Sequence, residues 1–456
     1  MSVTPSGLGP PRLTPRELLA YGVPVLGIAY LLFFVQFYFL KFATDELLLP
    51  AAAVGVLFGL AKVWDAISNP LIGSWSDRTR SRWGRRRPFL LGALPPLAIG
   101  FAMLWRAPEA LGPGALVAWA GAALFVFYGA FALYTIPHAA LGAELSRDSD
   151  ERTRLFAGRQ MAFTVGILIA FAGIQFVMNA DDARAAAAGL AIPSVLAAAL
   201  LLAWTPLAIR EPVHRGRGGG ESLWSGLRDV AANPHARRLL FVWFVENAGM
   251  GAVGTMAPFI AEYLLRRPDV VGTLPGAYVV AGVVSIPLWV RLSRRNGKRQ
   301  TWLAAMLLAA VAFGGFGFVG EGDVGIAIGL LVVAGSAMGC GSVLSSAIMA
   351  DVIDVDAHAT GERKEGIYSA AMMFVMKIGM AGSTALSGFV LSATGFVPNV
   401  EQSAESLLGM RLLFGWLPCL GFLTGALIFW RAPAPEPQPA RVPELRTGVV
   451  KSAEIP

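Results

Sequence analysis

The sequence predicts an all-α membrane protein, with twelve transmembrane helices arranged as two pseudo-symmetric six-helix bundles. Three observations predict it. The 456 residues are 55% hydrophobic and only 15% charged, with a mean hydropathy of +0.60, whereas a soluble domain carries roughly 25% charge. Twelve apolar runs approach or exceed the roughly 20 residues needed to cross a hydrocarbon core. A polar connection of the same character then recurs once in each half of the chain.

In order, the runs fall at 17–42, 51–75, 89–106, 115–140, 155–178, 185–209, 237–265, 273–293, 299–320, 323–350, 366–394 and 405–431. They are continuously apolar, so they are helices rather than the alternating strands of a barrel. The 52 glycines suit close helix packing in lipid. Residues 1–16 are polar and proline-rich and read as a disordered N-terminus. The run after them is too long for a signal peptide. The connection 210–236, with Arg215, Arg217, Gly218–Gly220 and Pro234, is a central linker between bundles 17–209 and 237–431. The tail 432–456 is rich in Pro, Glu and Ala and reads as disordered. Cys340 and Cys419 both lie in apolar runs, which argues against a disulfide framework or a cysteine metal site.

Twelve spans put both termini on one side, and the basic residues say which. Most of them fall on the termini and on the connections of that side; the opposite loops hold Lys41, Arg106, Arg184, Arg266 and Arg267. Both termini are therefore expected in the cytoplasm of a cell with this chain in its inner membrane. The net charge of +7 becomes a collar facing anionic lipid, and nucleic acid is not needed to explain it.

The recurring connection runs from Gly73 through Asp77, Arg78, Gly84, Arg85, Arg86 and Arg87 to Pro88. Its reduced counterpart is Arg291–Arg299, six spans later. The fourth connection holds Asp148, Asp150 and Glu151; the tenth holds Asp354, Asp356, Glu362, Arg363, Lys364 and Glu365. Two parallel six-helix halves are the plan of the major facilitator fold, whose site lies between them at mid-membrane.

Asp65-Ala-Ile-Ser-Asn69-Pro70-Leu-Ile-Gly73, followed by Ser76 to Pro88, resembles the second helix and its exit in the glycoside–pentoside–hexuronide:cation symporters, the family of the melibiose carriers. Tyr134-Thr-Ile-Pro137 with Glu144, the segment Ala350 to Tyr368, and Lys377 are similar to that family's fourth helix, tenth connection and eleventh helix. The resemblance implies uptake of a sugar or glycoside coupled to H⁺, Na⁺ or Li⁺ by alternating access, with no enzymatic activity. It implies a cation site at two carboxylates four residues apart in the second helix. Asp65 matches the first, while Asn69 stands at the second and removes a charge. It also makes Arg159 a sugar-site arginine. Helix 1 has no carboxylate between Glu17 and Asp45, and Thr135 stands at an acidic position of the fourth helix, so a galactoside specificity does not carry over.

The charges themselves support a site. An ion at mid-membrane costs about 2.5–3.5 kcal/mol on insertion scales, so it persists where it pairs or works. Lys62 and Asp65 share a helix face and are one internal pair; the other reading joins Asp65 to Lys377 across the halves and makes it the proton or cation site. Glu246, inside the seventh span, is a second candidate for coupling, or a carboxylate bonded to a neighbouring helix. Arg159 offers a fork of donors for hydroxyls or a carboxylate, or else it snorkels. Tyr134, Thr135 and His138 surround Pro137 and are candidate substrate contacts, with packing as the alternative for His138. Trp64 and Trp243 are either packed or stacked on a sugar ring.

Gly73, Asp77, Arg78, Gly84, Arg85, Arg86, Asp351, Asp354, Glu362 and Arg363 form the expected cytoplasmic gate. Gly249-Met-Gly251-Ala-Val-Gly254 fits a nucleotide-binding pattern but lies within a span, so it is packing. The expected partners are a small-molecule solute and the bilayer, with no metal or cofactor beyond the coupling ion, and the expected state is a monomer. Two other readings stand: a lysophospholipid or other organic solute carrier, uncoupled because of Asn69, and, more remotely, a membrane-embedded enzyme.

Overall fold

The computed structural model describes residues 13–146, 148–209, 211, 228, 230–360 and 365–431. Twelve spanning helices run through them: α1 (Pro15–Asp45), α2 (Ala51–Arg78), α3 (Arg87–Trp105), α4 (Pro113–Gly142), α5 (Glu151–Met178), α6 (Ala183–Ala208), α7 (Pro234–Leu264), α8 (Pro268–Asn296), α9 (Lys298–Phe316), α10 (Val324–His358), α11 (Ile367–Ala393) and α12 (Ala404–Arg431). No strand occurs among the described residues.

Three boundaries differ from the sequence reading. Residues 13–16 belong to an ordered helix start, because Thr14 and Glu17 make a reciprocal capping box ahead of Pro15. The seventh span starts inside the segment read as linker, because the Asn233 side chain accepts from the N–H groups of His235 and Ala236. Lys41 is not a loop residue: α1 continues past it to Asp45 and buries it. The N-terminal residues before 13, most of the linker and the tail after 431 lie outside the described residues.

The helix pairings repeat. α1 packs on α5 and α6, α2 on α4, and α3 on α4 and α6; each pairing recurs six helices later, α7 on α11 and α12, α8 on α10, and α9 on α10 and α12. The halves meet through α1 against α7, α2 against α11 and α5 against α8. Small residues let α2 and α11 approach closely: a Cβ on Gly55 would stand 2.9 Å from the Ala385 carbonyl oxygen and 3.3 Å from the Gly388 Cα. That contact lies toward the face opposite the termini.

Prolines shape the first half. A proline lacks the N–H that would engage the carbonyl four residues back. Pro24 so frees the Ala20 carbonyl, which accepts from the Thr205 hydroxyl at 2.8 Å; Pro206 frees the Leu202 carbonyl, which accepts from the Tyr134 hydroxyl at 2.9 Å. The bends of α1 and α6 are thus held by side chains from neighbouring helices.

Candidate functional site

At the crossing of α2 and α11, the Lys377 ammonium lies 2.6 Å from Asp65 Oδ2. One turn along α2, the Asn69 amide, oriented by its hydrogen bonds, turns its oxygen to the same ammonium at 2.6 Å and donates to the Asp65 carbonyl at 3.1 Å. The structure therefore brings together three of the four residues expected at a coupling site, from both halves. Asp65 Oδ1 is buried with no hydrogen-bond partner.

Lys62 does not pair with Asp65, although the two are three residues apart. Its ammonium rests 4.2 Å from the centre of the Tyr128 ring instead. The Tyr128 hydroxyl donates to Gln36 Oε1 at 3.2 Å, and Gln36 Nε2 donates to the Thr384 hydroxyl at 2.8 Å. Thr384 in turn lies 3.0 Å from the Thr255 hydroxyl. This chain ties α4, α1, α11 and α7 together, running from Lys62 beside the ion pair toward the opposite face. Sequence reading missed it because neutral polar residues in a span carry no charge signal.

Three expected site residues are engaged elsewhere in the fold. Tyr134 and His138 do not line the seam. Tyr134 is 1% exposed and engages the Leu202 carbonyl. His138 is 2% exposed, with Nε2 3.1 Å from the Tyr21 carbonyl beside the Pro24 bend and its ring stacked on Tyr21. Both satisfy carbonyls near the proline bends, so they are packing groups. Thr135 donates to the Phe131 carbonyl of its own helix at 2.9 Å and is partly exposed. Arg159 sits against α1, its backbone nitrogen 3.4 Å from where Gly22 would carry a Cβ, and its buried Nε has no partner.

Among the described residues Glu246 makes no bond to the pair, although its neighbour Asn247 packs against Gly379, two residues from Lys377. Trp302 Nε1 of α9 donates to its Oε1 at 2.7 Å, and Gly341 of α10 leaves room for the carboxyl group. It lies inside the second half, held as a carboxylate bonded to a neighbouring helix. Trp64 stacks on Phe125 at 4.1 Å and Trp243 donates to the Met372 carbonyl at 3.1 Å, which makes both packing residues.

The basic connection folds into a cluster at the terminal face. The backbone N–H groups of Arg85, Arg86 and Arg87 converge on the Glu211 carboxylate at 2.6–2.8 Å, capping the start of α3. Gly84 makes this possible: its φ is +108°, and a Cβ there would stand 2.6 Å from the Glu211 carboxylate. Arg86 also reaches Glu144 at 2.6 Å and Asp77 at 2.9 Å, and Arg85 reaches Glu144 at 2.7 Å. Burial pushes the Glu144 carboxyl up, but its hydrogen bonds and charge contacts with Arg86 and Arg85 outweigh this and hold it below the usual range.

The second half repeats the theme, with Lys298 at the start of α9 pairing with Asp351 near the end of α10 at 2.7 Å. Gly73 packs near Ile136, and Arg78 and Asp354 are exposed. Glu362 and Arg363 lie outside the described residues. The ion pairs of Asp77, Arg85, Arg86 and Asp351 each stay within one half, so in this state they brace the halves rather than lock them to each other. Glu211, which sequence reading left in the linker, is the organiser it missed.

A family model described as MFS/sugar transport protein matches residues 20–436. The isoprimeverose transporter of Lactiplantibacillus pentosus is 28% identical, over 89% of this chain and 86% of its own length. A protein of Escherichia coli (strain K12), provisionally named a sulfoquinovose importer, is also 28% identical, over 91% of this chain and 90% of its own. Among solved structures, a bacterial homologue of the human lysosomal transporter Spinster, inward-facing and unoccupied, superposes with a TM-score of 0.68 at 16% identity, covering 92% of this chain and 97% of that one.

Proposed function

We infer the activity from one premise: the chain belongs to the MFS/sugar transport protein family. It is a multi-pass membrane transporter and not an enzyme. From there we propose that it carries a sugar or glycoside by alternating access, the two halves rocking about a site at their seam. The observation behind this reading is the Asp65–Lys377 pair, which joins α2 to α11 at mid-span. A cation arriving at Asp65 competes with the Lys377 ammonium and frees α11 from α2. Asp65 stands with two ammonium groups and one amide nearby, which favours a proton over Na⁺ as that cation.

The solute carries an acidic group. Among the described residues neither Lys62 nor Arg159 forms an ion pair, and the guanidinium of Arg159 offers a planar fork of donors suited to a carboxylate or sulfonate. The sulfoquinovose in one relative's name is a solute of that kind. A second reading, an uncoupled carrier, is favoured by Asn69, whose amide meets Lys377 where a second carboxylate would attract a metal cation. The basic connections favour termini in the cytoplasm, and the bonds joining the halves, which lie at mid-span and toward the opposite face, favour a state closed to the outside.

A thermal-shift screen of the purified carrier against neutral glycosides, hexuronates, sulfonated sugars and lysolipids, with and without Na⁺, tests the reading. Stabilisation by an acidic sugar in both buffers supports it. A lysolipid response with no sugar response overturns it. Uptake into vesicles under an imposed pH gradient then separates proton coupling from uniport.

A further inference from the structure

The face opposite the termini is closed by groups that the transport site does not use. The Lys41 side chain is only 4% exposed. It pairs with Asp45 one turn along α1, and with Glu262 Oε2 of α7 at 2.8 Å. The same ammonium lies 4.6 Å from the centre of the Tyr263 ring and 5.6 Å from that of Phe259. The Tyr263 hydroxyl donates to Asp45, and the Asn399 side-chain amide donates to the Asp45 carbonyl at 2.8 Å. One half thus supplies a cation and a carboxylate. The other supplies a carboxylate, two aromatic faces, a hydroxyl and an amide. Glu262 and Tyr263 lie in the π-helical turn Ile260–Leu264, a local distortion often found at functional positions.

Beneath this layer, one turn inward, Phe37 fills the notch left by Gly254 and stacks on Phe171 at 5.4 Å. Gln36, Thr384 and Thr255 follow. Above it lies a cavity of about 510 Å³, lined by Asp45, Glu46, Asp181, Asp182 and Glu262 among others.

We propose that Lys41 is the gating residue of this face, and that its two carboxylates have different duties. When the halves part here, Lys41 and Asp45 leave together as a neutral pair on α1, so no isolated ammonium is left in the membrane. Glu262 is the ionic contact that breaks, and the Tyr263 and Asn399 hydrogen bonds to Asp45 break with it. It is released beside the cavity, where water solvates it, and Lys41 gives up the two rings of α7. Asp45 is the escort and Glu262 the latch.

The test is a distance measurement that does not depend on the solute's identity. Spin labels at Ala110→Cys and Val400→Cys, one on each half at this face, are placed in the full-length carrier with Cys340 and Cys419 replaced by alanine. The intact latch gives a dominant short separation. Glu262→Gln enlarges the long-separation population by roughly fivefold or more, the low end of ordinary two-state coupling. Glu262→Asp restores part of the short population. Glu401→Gln, which removes the exposed Arg266 partner on the same face, leaves the distribution unchanged. An unaltered distribution in Glu262→Gln, in protein that elutes as one sharp peak, overturns the proposal; so does an equal shift in Glu401→Gln.

Discussion

Lys377 and Asp65 form an ion pair across the boundary of the two halves, with side chains 20% and 3% exposed. Breaking a buried pair by removing one member leaves the other uncompensated and costs about 3–5 kcal/mol, whereas removing both is far milder. Asp65→Asn and Lys377→Gln are therefore each expected to lower thermal stability clearly. The double variant is expected to recover most of that stability while remaining inactive in uptake. Thermal unfolding and vesicle uptake, measured on all four proteins, check both halves of this statement. A double variant as unstable as either single one would mean that the pair is not what holds these side chains in the membrane.

Glu246 gives the opposite expectation. Its carboxyl accepts one bond from Trp302 inside the second half and makes no contact with Asp65 or Lys377. Glu246→Gln keeps an oxygen for the Trp302 N–H, so stability should move by about 1 kcal/mol, the scale of one net hydrogen bond. Accumulation of solute against a gradient should persist. Loss of accumulation with intact binding would return Glu246 to the coupling machinery.

What the sequence revealed follows from the strength of each signal. Spans are legible because lipid demands long apolar runs, and Asp65 and Lys377 are legible because a charge in such a run needs a reason, whereas Asn69 is legible only through the resemblance of its segment. Lys41 misled for the same cause: a charge at the end of an apolar run looks like the start of a loop, and only Glu262 and the rings of α7, distant in sequence, show why it is buried. Gln36, Thr255 and Thr384 are uncharged and blend into their helices. Tyr134 and His138 surround one proline, Pro137, yet they serve the bends made by two others, Pro206 and Pro24, which lie on different helices.

That assignment predicts a separation of effects for the fourth helix. Tyr134→Phe and His138→Phe each leave a buried carbonyl without its donor, a loss of about 1–3 kcal/mol. Thermal stability should fall in both, while KM for the transported solute stays near the wild-type value. A rise in KM at unchanged stability would put these side chains at the substrate after all.

The cluster at the terminal face is expected to respond to acid with a definite sign. The Glu144 carboxyl is held below the usual range by Arg86 and Arg85, against the opposing effect of burial. A group whose folded value is depressed stabilises the fold above its unfolded value, near pH 4.3 for glutamate, and that contribution is lost as the pH falls through the lower folded value. Glu144→Gln removes the contribution at every pH. The wild type should therefore be more stable than Glu144→Gln at neutral pH, and the difference should shrink as the pH is lowered below about 4. Unfolding midpoints of the two proteins across that range, compared at equal salt, measure it. A gap that widens in acid would show that Glu144 is neutral in the folded carrier and that Arg86 is held by Asp77 and Ser76 instead.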